Sequence, residues 1–203
     1  MKAIIVCGQN VTLKNYDLTD AYIVGVDLGA YMLAKAGIEM DLALGDFDTA
    51  GEKGFIKAKK YAKNVKKLNP IKDDTDTFDA IEEIYYTYSE IIVLGGLQGK
   101  RIEHLVANIC ALKKYPNVKF IDDYSEMEIV SSNKVFKKDK YKFISFFPLK
   151  DSTITLKGFK YSGENIRLDL YNPLGVSNEI VDEMAYISCD GEILCIKSME
   201  DQR

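Results

Sequence analysis

Two acidic clusters carry the residue types that bind hard cations: Gly45-Asp46-Phe47-Asp48, and Lys72-Asp73-Asp74-Thr75-Asp76. Each follows a short apolar run and precedes a helix-like pattern. Carboxylates placed there would sit beyond the carboxyl ends of strands, where open α/β sheets bind ligands. Such acids attract Mg²⁺, and Mg²⁺ commonly arrives with a polyphosphate. In the first cluster, acids two residues apart on extended chain would point to one side while Phe47 turns away. In the second, either Thr75 or Asp76 would cap a helix, and Lys72 could reach a phosphate oxygen. A plain surface turn or cap accounts for one or two of these acids but not for their crowding.

Gly95-Gly96-Leu97-Gln98-Gly99-Lys100-Arg101 follows an apolar run and opens a helix pattern. Loop amides, a helix N-terminus and two cations together make an anion site, although the Gly-Lys-Ser/Thr ending of a P-loop is absent. His104, the single histidine, shares a helix face with Arg101 and Asn108, which suits the polar wall of a nucleotide pocket. Asp27 ends the second apolar run and would either join the acidic site or cap the next helix. Gly175-Val176-Ser177-Asn178 interrupts a strand-rich region and by composition is a turn.

The elements that position these residues divide the chain of 203 residues in two. Through about residue 125, strand-like segments (Ala3–Cys7, Ala21–Val26, Leu42–Leu44, Asn64–Leu68, Glu90–Leu94, Val118–Ile121) alternate with helix-like ones (Gly29–Ala36, Gly51–Tyr61, Thr75–Tyr88, Ile102–Lys114). That alternation predicts an α/β domain with a mostly parallel sheet. From residue 126 onward helical periodicity stops. Glu128–Val130, Lys142–Phe147, Thr153–Leu156, Ile166–Leu170, Val176–Val181, Ala185–Ser188 and Ile193–Lys197 predict an all-β, sandwich-like domain.

Charged residues at 29%, hydrophobic residues at 47% and a net charge of −4 fit a soluble protein and argue against a binder of duplex nucleic acid. The lysines between Lys53 and Lys67 fit a solvated helix and the strand after it. Cys7, Cys110, Cys189 and Cys195 form no Cys-x-x-Cys pair, so reduced thiols and a cytoplasmic location are expected. No signal peptide and no run of the ~20 apolar residues a membrane span needs is apparent.

Taken in order, these motifs resemble the thiamine pyrophosphokinase family: Asp27, then Gly-Asp-Phe-Asp, then Lys72-Asp73-x-Thr75-Asp76. A glycine loop follows, running into Arg101-x-Glu103-His104 with Asn108 beyond, and last comes Gly175-x-Ser177-Asn178. The resemblance implies a catalytic α/β domain (residues 1–125) that binds nucleotide and metal. It implies a β-sandwich (residues 126–203) for substrate binding and dimerisation, in a homodimer with substrate clefts between subunits. The implied reaction moves the diphosphate of ATP to the hydroxyl of thiamine, giving thiamine diphosphate and AMP. Asp46, Asp48, Asp73 and Asp76 would hold Mg²⁺ and, with Arg101, carry catalysis, and either Asp73 or Asp76 would take the hydroxyl proton. Asp27, Lys72, Thr75, Gly96, Gly99, Lys100, Arg101, His104 and Asn108 would contact ATP, and Ser177 and Asn178 the thiamine.

Three features depart from the family pattern: Lys100 stands where a glycine is usual, Glu103 replaces an aspartate, and the chain has no tryptophan. A tyrosine or phenylalanine would then have to stack on the thiamine rings. Other readings are a diphosphokinase of the same fold acting on a different alcohol, such as a hydroxymethylpterin, or a non-catalytic nucleotide or thiamine sensor. A phosphatase with an Asp-x-Asp nucleophile would want that motif after the first strand, where Cys7-Gly8-Gln9-Asn10 stands instead.

Overall fold

A computed structural model describes residues 1–8, 10–48, 51–69, 74–99, 101–172 and 174–200. Lys72, Asp73 and Lys100 of the expected site lie outside the described residues. The chain forms two compact units, Met1–Asp123 and Tyr124–Arg203. No helix among the described residues is long and apolar enough to cross a membrane.

In the first unit, the apolar runs become strands β1 (Lys2–Val6), β2 (Ala21–Val26), β3 (Met40–Gly45), β4 (Ala62–Lys67), β5 (Glu90–Leu94) and β6 (Val118–Ile121). They pair in parallel in the order β4-β3-β2-β1-β5-β6. Chain order therefore runs outward in opposite directions from the neighbours β1 and β5, and a crevice opens at their carboxyl ends. The register keeps those ends level: Val6 lies opposite Gly25 on one side and Leu94 on the other, and Val26 lies opposite Leu44. β4 is an edge strand, largely exposed, and its Lys63, Lys66 and Lys67 discourage further pairing.

Helices α1 (Leu28–Lys35) and α2 (Gly51–Tyr61) share a core with Ile4, Val6, Ile23 and Ala43 on one face of the sheet. Ala3 and Ile5 point the other way, where α3 (Asp76–Ile84) and α4 (Ile102–Lys114) bury Ile81, Ile84 and Leu112. Just past α1, Gly37 takes φ 75°. The Gly37 N–H donates to the Ala34 carbonyl and the Ile38 N–H to that of Leu33, so the last carbonyls find partners. α3 stops at Ile84 rather than Tyr88. There the Thr87 N–H donates back to the Ile84 carbonyl and tightens the chain into a turn.

The second unit holds two antiparallel sheets, and both contribute to one core. β7 (Ser125–Val130), β13 (Ile193–Ser198) and β9 (Phe143–Pro148) form the first, with β13 central. β11 (Gly163–Leu168), β10 (Ser152–Lys157), β12 (Met184–Cys189) and β8 (Lys134–Lys137) form the second, in that order. Phe136, Phe146 and Phe159 meet edge to face at its centre, with ring centroids 5.6–6.0 Å apart.

One expectation fails in this unit, and one strand was not foreseen. Val176–Val181 is not a strand, because residues 174–177 form a turn and only Asn178 and Ile180 make isolated bridges. A Cβ on Gly175 would lie 2.2 Å from the Phe146 carbonyl oxygen, and Ser177 takes φ 57°, which strand geometry forbids. β8 was not anticipated, since its Lys-Val-Phe-Lys buries a single side chain, Phe136.

Gly29 lets α1 come close to the end of β1. A Cβ on Gly29 would lie 1.8 Å from the Val6 carbonyl oxygen, whereas one on Gly37 would meet nothing within 4 Å. Gly37→Ala is therefore expected to cost only the left-handed backbone penalty, about 1 kcal/mol. Gly29→Ala should cost more than the ~1–3 kcal/mol of ordinary overpacking. Urea unfolding of the two variants checks the order.

Candidate active site

Asp27 immediately precedes α1 and adopts φ 43°, ψ −109°, a region L-residues rarely enter. Its N–H donates to the Leu44 carbonyl at 2.9 Å, and its own carbonyl accepts from Ala30 and Tyr31, starting the helix. Asp27 is the N-cap residue of α1 by position, but its side chain makes no capping hydrogen bond. Gly45 (φ 148°) makes room for this arrangement, because a Cβ there would come within 3.1 Å of the Asp27 nitrogen.

Beyond Gly45 the chain is not extended, contrary to expectation. Phe47 is left-handed (φ 61°) and buried against Phe55 at 4.8 Å, and the Asp48 N–H donates to Asp46 Oδ1 at 3.0 Å. Burial of Phe47 anchors this turn from below and leaves both acids above it. Asp27, Asp46 and Asp48 offer carboxylate oxygens that all lie within 4.8 Å of one another. Three carboxylates so close repel, and a hard divalent cation with oxygen ligands matches both their charge and their chemistry. Asp76, in the first turn of α3, is not part of this group. The cap of α3 is Thr75, whose Oγ accepts the Phe78 N–H at 3.2 Å.

Beside the acids lies a cavity of about 690 Å³, lined by residues that follow β1 and β5 and by the starts of α1, α3 and α4. Asp27, Thr75, Gly96, Gly99, Arg101, His104 and Asn108 all line it, as do the unanticipated Cys7, Gly8 and Thr77. Cys7 and Gly8 were findable from the sequence, since they are the first residues past β1. Gly95 and Gly96 take φ 99° and 79°. A Cβ on Gly95 would come within 3.0 Å of the Gly8 nitrogen, and one on Gly96 within 2.7 Å of Asn108 Nδ2.

Asn108 is buried and its Nδ2 donates to the Gly96 carbonyl at 2.8 Å, so one of its amide hydrogens is spent holding the loop. Arg101 is largely exposed, with Nε on Glu103 Oε1 at 3.0 Å. Glu103 sits below the usual glutamate pKa, first through its own backbone N–H and then through Arg101. Burial pushes the Cys7 thiol up to about 11 despite a hydrogen bond with Thr77, which favours the protonated form.

In the second unit, Ser177 is exposed and its N–H donates to Ser145 Oγ at 3.0 Å. Asn178 is only 3% exposed. Its Oδ1 accepts the N–H groups of Tyr161 (3.0 Å) and Glu179 (2.9 Å), and its Nδ2 donates to the Tyr161 carbonyl (3.0 Å).

Strain of the kind seen at Asp27 costs about 1–3 kcal/mol and is released when glycine takes the position. Asp27→Gly is therefore expected to raise the urea midpoint of the metal-free protein while weakening Mn²⁺ binding at least ten-fold by calorimetry. A variant that lost stability and kept its metal affinity would contradict the role assigned to this residue.

Residues 13–121 match the family described as "Thiamin pyrophosphokinase, catalytic domain", and residues 129–194 match "Thiamin pyrophosphokinase, vitamin B1 binding domain". The thiamine pyrophosphokinase of Bacillus subtilis (strain 168) is 29% identical over 186 residues, covering 87% of each chain. The crystal structure of the B. subtilis protein superposes with a TM-score of 0.88 at 28% identity, over 99% of this chain and 100% of that one. The Geobacillus thermodenitrificans structure gives 0.88 at 27% identity, over 100% and 99%. With both of its units matched in order, the chain belongs to the thiamin pyrophosphokinase family of enzymes.

Proposed function

We propose that the protein transfers the diphosphate group of ATP to the hydroxyl of thiamine, releasing AMP. The observation that carries this proposal is that Asp27 belongs at once to the carboxylate group and to the cavity wall. A cation held by the acids would thus border a space of the size that takes a nucleotide. Membership of the family supports thiamine as the alcohol and ATP as the donor.

Asp27, Asp46 and Asp48 would hold Mg²⁺, with Asp73 and Asp76 as further acidic groups for the ion. The ion, when bound, neutralises charge on the phosphate oxygens. The protein's own work in such transfers is mostly positioning and electrostatics. Loop residues Gly96 to Gly99 would cradle the polyphosphate with backbone N–H groups, and Arg101, with Lys72 and Lys100, would meet charge that develops as AMP leaves. Thr75, His104 and Asn108 would border the nucleotide. The thiamine hydroxyl attacks the β-phosphorus, the bond to the α-phosphate oxygen breaks, and the hydroxyl proton passes to Asp73 or Asp76. The first unit would serve catalysis and the second thiamine binding and dimerisation, in a cytoplasmic homodimer with substrate clefts between subunits.

Incubation with ATP, Mg²⁺ and thiamine should yield AMP and thiamine diphosphate one for one. ADP, or phosphate release independent of thiamine, would overturn the assignment, and preference for a hydroxymethylpterin in competition would reassign the alcohol. Asp46→Asn should lower kcat by about 10²-fold or more, a loss typical of removing one electrostatic group, with an unchanged circular dichroism spectrum.

A further inference from the structure

Residues 10–16, between β1 and β2, form a fixed post beside the glycine loop. Val11 is buried in the core of the first unit, and Leu13 and Tyr16 pack against that core. The Asp123 carboxylate accepts the Thr12 N–H at 2.9 Å, the Thr12 hydroxyl at 2.6 Å and the Tyr16 hydroxyl at 3.1 Å. The Asp123 N–H in turn donates to the Asn10 carbonyl at 3.0 Å. Asn10 holds φ 60°, a left-handed angle that asparagine tolerates better than most residues. From this post Asn10 Nδ2 donates to Gln98 Oε1 at 3.1 Å.

Two asparagines thus hold the glycine loop at different points. Asn108 takes the Gly96 carbonyl, and Asn10 takes the side chain of Gln98, which lines the cavity. A glutamine amide carries an acceptor oxygen and two N–H donors, so by itself it favours neither an anion nor a cation. Asn10 removes that ambiguity. With Oε1 engaged by a donor, Nε2 is the end of the amide left for a ligand, and a ligand that takes only donors is an anion.

We propose that Gln98 is a side-chain contact for the polyphosphate, and that Asn10 is the positioning residue that decides which end of the Gln98 amide meets it. The inference rests on the nucleotide reading above and deepens it, adding a neutral donor to the backbone N–H groups and cations already assigned to the phosphates. Hydrogen bonds to an ionised acceptor are about twice as strong as neutral ones, so the gain from presenting Nε2 exceeds what the exposed Asn10–Gln98 bond itself supplies. Both residues are exposed, and replacing either leaves the core of the unit intact.

Calorimetric titration with ATP and Mg²⁺, without thiamine, tests both roles. Gln98→Leu removes the amide and should weaken ATP binding roughly five-fold or more; an unchanged affinity would overturn the contact. Two replacements of Asn10 test the polarity. Asn10→Gly keeps the left-handed backbone, removes only the donor, and should weaken binding about three-fold. Asn10→Asp offers acceptors instead, which turns the Gln98 amide over and aims its oxygen at the phosphates, and should weaken binding roughly ten-fold or more. A simple brace predicts the opposite order, because the carboxylate keeps a hydrogen bond to Gln98 that glycine loses. Affinity in Asn10→Asp equal to or above that in Asn10→Gly would therefore overturn the inference.

Repulsion between the new carboxylate and the phosphates is separated by repeating Asn10→Asp in the Gln98→Leu background, where the further loss should stay within about two-fold. An equal loss in both backgrounds would assign the effect to charge alone and overturn the inference too. Failure of the parent protein to bind ATP would sink the nucleotide reading and this inference with it. A parent that makes thiamine diphosphate, beside a Gln98→Leu variant that binds ATP unchanged, sinks only the inference.

Discussion

Everything at the candidate active site depends on a backbone approach at the carboxyl ends of β2 and β3. Parallel pairing sets Val26 opposite Leu44, and one further hydrogen bond, from the Asp27 N–H to the Leu44 carbonyl, carries the contact past the end of the ladder. Gly45 keeps that approach uncrowded, since a Cβ there would lie 3.1 Å from the Asp27 nitrogen. With Asp27 held there, α1 must begin at once, and Gly29 lets it pass directly over the end of β1. The left-handed Phe47, locked under Phe55, then turns Asp46 and Asp48 back toward Asp27. The site's charge cluster is thus paid for by strain at two non-glycine residues, which the packing of α1 and α2 sustains.

Across both units the polar side chains divide into those spent on the fold and those left over for a ligand. Asn108 holds the loop carbonyl of Gly96, Thr75 caps α3, and Asn178 holds the Tyr161 backbone. Arg101 and Ser177 stay exposed, and His104 faces the cavity. Residues of similar type in the same motif therefore do different work, and the difference lies in what surrounds them rather than in what they are.

Much of the architecture was legible because hydrophobic patterning is a local property. Ala21–Val26, Glu90–Leu94 and Val118–Ile121 read as strands and Gly51–Tyr61 and Ile102–Lys114 as helices, and they form over those residues. The misreadings arose where backbone angles override composition. Val176–Val181 has strand-like residues but a left-handed Ser177 and a crowded Gly175, and Asp46–Asp48 turns where period-two spacing suggested extension. β8 escaped notice because four residues with one buried side chain carry almost no periodic signal.

The order of the motifs was by itself sufficient to identify the family, since that order is written in the chain and survives folding unchanged. The residue types likewise announced acid, glycine-loop and Ser-Asn chemistry. The tertiary structure decided which of these groups meet: Asp27 joined the carboxylates, Asp76 did not join that group, and Asn178 turned inward. Those choices depend on register between strands and on burial, which are relations between residues far apart in sequence. No local pattern encodes them, because each is settled by a neighbour that only folding supplies.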